Sequence, residues 1–142
     1  MSKNVEFTDK LRSSGLRPTK QRLKICEVLF NRDHTFHFTI NDLAKNISEE
    51  LKEKISLATV YNTVHAFKNK GYLKEISINS DKSYFDTNTS NHHHFFDEDT
   101  NELIDCAEGI IETPKIKKNI SGKKINSVEV LIKVATDNQN QK

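Results

Sequence analysis

Cysteine is scarce in this chain of 142 residues: Cys26 and Cys106 lie far apart and belong to no C-x-x-C pair. A disulfide framework is therefore not expected, and a reducing, cytoplasmic location fits. No apolar run approaches the length needed to span a bilayer, and the first residues show no charged-apolar-small signal pattern. No membrane partner is expected on that ground. The chain also has no H-E-x-x-H arrangement, nucleophile elbow or phosphate loop, so nothing in it points to an enzyme, a metallohydrolase included. Proline is equally rare, with Pro18 and Pro114 its two occurrences. Residues 108–121 read as partly helical, and Pro114 argues against a long uninterrupted helix there.

What the chain does have is unevenly spread. With 35% hydrophobic and 30% charged residues it can build a core beneath a very soluble surface. Residues 1–80 hold 14 Lys/Arg against 9 Asp/Glu, and residues 81–142 hold 8 against 11. A basic first half suits a polyanion, and an acidic second half carrying histidines suits a cation. Three of the six histidines are consecutive, His92-His93-His94. Imidazole is the commonest protein ligand for transition metals and also binds haem iron.

Residues 5–14 read as a helix closed by Gly15. A second spans about 18–31 after Pro18-Thr19, with Leu23, Ile25, Cys26, Leu29 and Phe30 at helical spacing. Thr39 caps a third, with Ile40, Leu43, Ala44, Ile47 and Leu51 as its stripe. Ser56 caps a fourth that runs through Leu57, Val60, Val64 and Phe67 to Lys70-Gly71. The period then changes to that of strands. Tyr72–Ile78 and Ser83–Thr87 form a hairpin, His94–Phe96 and Glu102–Asp105 are short strands, and 124–136 alternates most strictly. The expected fold is α+β. A winged helix-turn-helix over 1–87 precedes a small α/β domain over 88–136 and a polar tail over 137–142.

In such a fold the fourth helix would enter the DNA major groove. Leu57, Val60 and Val64 would hold the core, while Ser56, Ala58, Thr59, Tyr61, Asn62 and Thr63 offer small or polar contacts. Asn pairs bidentately with adenine, and Ala and Thr methyls suit thymine. Arg17, Lys20 and Arg22 are candidates for phosphate or minor-groove contact.

Taken together, Gly15-Leu16-Arg17-Pro18-Thr19-Lys20-Gln21-Arg22, Ser56–Thr63 and the His triplet resemble the ferric uptake regulator family. Lys82–Asn88 followed by Asn91–Phe96 is similar to its iron response regulator branch, and the likeness spans about residues 10–136. The resemblance implies a winged-helix domain, an α/β dimerisation domain, and a homodimer on double-stranded operator DNA with an inverted repeat. It implies a haem-responsive transcriptional regulator of iron homeostasis, released from DNA when haem binds. A repressor with Fe(II) or Mn(II) as corepressor is the alternative.

By the same resemblance His37, Asp86 and His94 match three ligands of a regulatory metal site, and His93 with Glu112 match ligands of a second. Side chains on a strand alternate, so His92 and His94 would point one way and His93 the other. The departures matter too. Phe96, Phe95 and Val128 stand where the family often carries ligands, and the paired-cysteine structural zinc site is absent. Haem would be held at His92, His93 and His94 with Tyr84, Phe85, Phe95 and Phe96 around it. Cys26 is followed by Glu27 and Cys106 by Ala107, so a Cys-Pro haem motif is missing. Cys26 reads as core, His34 as exposed, and His65 as a surface or phosphate contact.

Overall fold

The computed structural model describes residues 2–138; the polar end of the chain beyond 138 lies outside them. The chain forms two compact units, residues 1–89 and 90–142.

The first unit is built on four helices, α1 (Ser2–Ser13), α2 (Lys20–Phe30), α3 (Ile40–Leu51) and α4 (Leu57–Lys70). Three of them begin where the sequence expects. The hydroxyls of Thr19, Thr39 and Ser56 accept from the backbone N–H of Arg22, Asp42 and Thr59 at 3.1–3.2 Å. Each bond satisfies one of the donors a helix start leaves open. The end of α4 needs a left-handed residue, and Gly71 supplies it at φ 90° while Tyr72 N–H returns to the Phe67 carbonyl. Phe7, Leu11, Ile25, Leu29, Leu43, Ile47, Val60, Val64 and Phe67 meet in one core.

The hairpin of β2 (Lys74–Asn79) and β3 (Lys82–Asp86) follows α4 and is the wing. Against β3 lies β1 (His37–Phe38), a two-residue strand that the sequence reading did not contain. The sheet order is β1-β3-β2, all antiparallel. Four helices with this three-stranded sheet, whose first strand lies between α2 and α3 and whose hairpin follows α4, make the expected winged-helix architecture.

The second unit has β4 (His94–Asp97) at the centre of its sheet. It is paired antiparallel to β5 (Glu102–Asp105) and parallel to β6 (Leu131–Val134). Two expectations are corrected here. Residues 108–121 hold no helix, because Gly109 takes φ 88°, Pro114 interrupts, and Ile110, Ile116 and Ile120 are exposed. An isolated helix with no buried face has little to stabilise it. The strand expected over 124–136 is also shorter, starting at Leu131. Just before it, the Val130 N–H donates to His93 Nδ1 at 2.9 Å instead of to a strand partner.

Candidate metal centre and nucleic-acid interface

The outward side of α4 carries Ser56, Leu57, Ala58, Tyr61 and Asn62, with Tyr61 52% exposed. Ser56 and Thr59 are also tied to each other, hydroxyl to hydroxyl at 2.9 Å, at the helix start. Two expectations for this helix change. Thr63 is fully buried and its hydroxyl donates to the Thr59 carbonyl at 2.7 Å, so it belongs to the packed side. Leu57, expected in the core, is 53% exposed and lies on the open side of the first turn with Ser56 and Ala58. Arg17 and Lys20 are exposed, whereas Arg22 is half-buried and donates from Nη1 to the Arg17 carbonyl at 3.0 Å. Arg22 thus braces the entry to α2.

In the first unit the β1–β3 ladder sets His37 directly opposite Asp86. His37 Nε2 lies 3.0 Å from Asp86 Oδ2, and Asp86 Oδ1 accepts from the Asn88 N–H at 2.8 Å. Asp86 is 0% exposed. A carboxylate removed from water needs a cation or several donors around it.

In the second unit the same device recurs, since the β4–β5 register sets His94 opposite Asp105. His94 Nε2 is 3.2 Å from Asp105 Oδ1, and His92 Nε2 is 3.0 Å from that same oxygen. The rings of His92 and His94 lie 4.3 Å apart, as alternation predicts for residues on one face.

His92 Nδ1 is 2.7 Å from the Ser90 carbonyl, which can only accept, so Nδ1 carries the proton. In a neutral imidazole Nε2 is then a lone pair, and here it faces a carboxylate oxygen. Either a second proton or a cation must resolve that opposition. Metal–ligand bonds of about 2.0–2.2 Å place neighbouring ligands roughly 3.0–3.6 Å apart, which is the spacing observed. Two imidazoles and a carboxylate suit Mn(II), Fe(II) or Zn(II).

Asp105 is absent from the sequence-derived ligand set, and His92 appears in it only as a haem ligand. The signal was available: two short strands joined by an acidic turn pair residue 94 with 105 when closed as a hairpin. His93 has another task. Its Nδ1 accepts from Val130 and its Nε2 donates to Thr113 Oγ1 at 3.3 Å, which ties β4 to the segments after β5. Glu112 is exposed, and among the described residues no group of three or more ligating side chains contains His93 or Glu112.

The rings expected around haem are largely committed elsewhere. Tyr84, Phe85 and Phe96 are buried, and Phe85 stacks on Phe38 at 5.8 Å. A cleft of ≈ 580 Å³ in the second unit is bordered by His92, His93, Cys106, Ile111 and Val128, with no Phe or Tyr. Cys26 is fully buried, and burial pushes its thiol up to about 12. His34 is exposed, and His65 is half-buried between Tyr61 and Phe85.

The model of the ferric uptake regulator family matches residues 13–134. The chain belongs to the ferric uptake regulator family. Its members are transcription regulators, not enzymes. The peroxide-responsive repressor PerR of Staphylococcus aureus (strain Mu50) is 37% identical over 95 residues, 67% of this chain. The matched region spans 62% of that relative's own length. Among solved structures, the ferric uptake regulator of Pseudomonas aeruginosa with manganese aligns with a TM-score of 0.63 at 23% identity, covering 96% of this chain and 98% of that one. The Vibrio cholerae ferric uptake regulator aligns with a TM-score of 0.66 at 24% identity, covering 91% and 98%. Both share the fold.

Proposed function

We propose that this chain is a divalent-metal-responsive, sequence-specific DNA-binding repressor that acts as a homodimer on an inverted-repeat operator. One observation carries the reading. The Nε2 atoms of His92 and His94 converge on one oxygen of Asp105 while the His92 proton is held on the opposite nitrogen. In the proposed centre of the second unit His92, His94 and Asp105 hold Mn(II) or Fe(II), and in the first unit His37 and Asp86 offer an ion the same imidazole and carboxylate donors. When bound, the ion supplies the positive charge that the carboxylates require. The Ser90 carbonyl keeps His92 in the ligating tautomer, as outer hydrogen bonds do for metal-bound histidines. The Asn88 N–H holds Asp86 so that its second oxygen faces His37. On DNA, Tyr61 and Asn62 read base edges in the major groove, with Leu57 and Ala58 offering apolar contact to thymine methyls. Arg17 and Lys20 engage phosphates. The S. aureus relative is by name a repressor, which supports repression as the direction.

A second reading is the iron response regulator type, in which haem at His92, His93 and His94 releases the protein from DNA. The cleft beside His92 and His93 favours it. The burial of Tyr84, Phe85 and Phe96 in their own cores weighs against it. Protein stripped of metal, titrated on an inverted-repeat operator that it has itself selected from random DNA, separates the two. We expect Mn(II) or Fe(II) to raise operator affinity. Asp105→Asn, His92→Ala and His37→Ala should each weaken metal binding about tenfold or more, as losing even an outer ligand partner does. Release by haemin, with no response to Mn(II) or Fe(II), would transfer the function to haem.

A further inference from the structure

The rung next to the His37–Asp86 pair connects it to the DNA-reading surface. In the β1–β3 ladder that rung is Phe38 opposite Phe85. Successive side chains alternate across a strand, so these two rings lie behind the face that carries the ligating pair. They stack at 5.8 Å and 25° and are buried. The Phe85 ring then meets His65 edge to face, at 5.5 Å and 81°. His65 in turn lies against Tyr61, one helical turn earlier on α4, with centroids 4.1 Å apart. Tyr61 is half-exposed on the outward side of α4. An unbroken series of rings thus runs from the rung behind the ligating pair to the surface that would face DNA, all within the first unit.

We infer that His65 is a positioning residue that transmits the state of the His37–Asp86 pair to Tyr61. This rests on the metal-responsive reading above. Holding His37 and Asp86 on a shared ion would fix the spacing of β1 and β3 at that rung. The neighbouring rung shares the same two backbones and must follow. A close-packed interior transmits such a shift instead of absorbing it. The Phe85 ring moves against His65, and Tyr61, the least enclosed of the series, changes rotamer. If the rings served packing alone, His65→Ala would lower stability and leave the response to metal unchanged.

The test uses the full chain with its tyrosine rings ¹³C-labelled and Zn(II) as a diamagnetic probe. Tyr61 is one of three tyrosines, so its signal can be assigned by substitution. Zn(II) should shift the Tyr61 ring resonances in wild type and in His65→Phe, which keeps an aromatic ring in place. In His65→Ala, Zn(II) should bind with unchanged affinity and leave Tyr61 unshifted. The ratio of operator affinities with and without Zn(II) should fall about threefold or more in His65→Ala, a size usual for residues that modulate coupling. It should be retained in His65→Phe. Zn(II) binding to wild type with no change at Tyr61 would overturn the relay and leave the metal reading standing. An affinity ratio unchanged in His65→Ala would overturn it as well. Failure of wild type to bind Zn(II) at all would overturn the metal reading itself, and the relay with it.

Discussion

At the scale of single residues, burial decides what each ionisable group can do. Cys26 sits in the core among the helices, where a thiolate would lie far from water, and its thiol is pushed from 9.0 up to about 12. The folded state therefore favours the thiol more strongly than the unfolded chain does. That contribution is fully present below pH 9 and is lost as pH rises from 9 toward 12, at about 1.4 kcal/mol per pH unit within that window. Urea unfolding of wild type and Cys26→Ala at pH 8 and pH 10 should show wild type losing roughly 1 kcal/mol more than the variant between the two. Equal losses would mean the thiol is less enclosed than its position indicates. The residue type and its place in an apolar stripe already marked Cys26 as core. Nothing near His37 marks its role, because Asp86 reaches it across 49 residues of chain.

At the scale of elements, α4 divides between a packed side and an open side, and the proposed function gives the open side the reading of DNA. Its packed side is Val60, Thr63, Val64 and Phe67; its open side is Leu57, Ala58, Tyr61 and Asn62. Asn62→Ala should leave thermal stability unchanged and cost about 1–3 kcal/mol of operator affinity, relaxing specificity at one base position. Phe67→Ala should cost about 3–5 kcal/mol of folding stability. Thr63→Val, which removes a hydroxyl turned inward to the Thr59 carbonyl, should leave base specificity unaltered. Binding to an operator library together with thermal melts reads all three variants. A specificity change from Thr63→Val would restore it to the reading face. The sequence placed the start and end of α4 correctly because caps are local chemistry. It missed β1, since a strand of two residues has no period to detect and exists through its pairing with β3.

At the scale of the whole molecule, the second unit leaves Ile110, Ile116, Ile120 and Ile125 exposed. The proposed homodimer would supply a second copy to cover these side chains, since an apolar patch on a surface marks a place where another protein docks. Sedimentation should show a dimer at micromolar concentration, and replacing Ile116 and Ile120 with Lys should shift it toward monomer. On DNA the same double variant should lose its preference for two half-sites over one. A variant that remained fully dimeric would place the interface on another face. If metal raises operator affinity, operator DNA must raise metal affinity by the same factor, and a titration run in both directions checks this.

By itself the sequence determined the elements whose causes lie within a few residues of chain. These are the three capped helices, the glycine stop at Gly71, the wing hairpin and the alternation that puts His92 and His94 on one face. It also carried the family, because the combined motifs are spread over nearly the whole chain. Only the tertiary structure decided which side of α4 holds Thr63, that β1 exists, and that Asp105 lies within 3.0–3.2 Å of His92 and His94. Those outcomes depend on cross-strand register and on which face is buried. Both are properties of pairing between distant segments, so no local pattern encodes them.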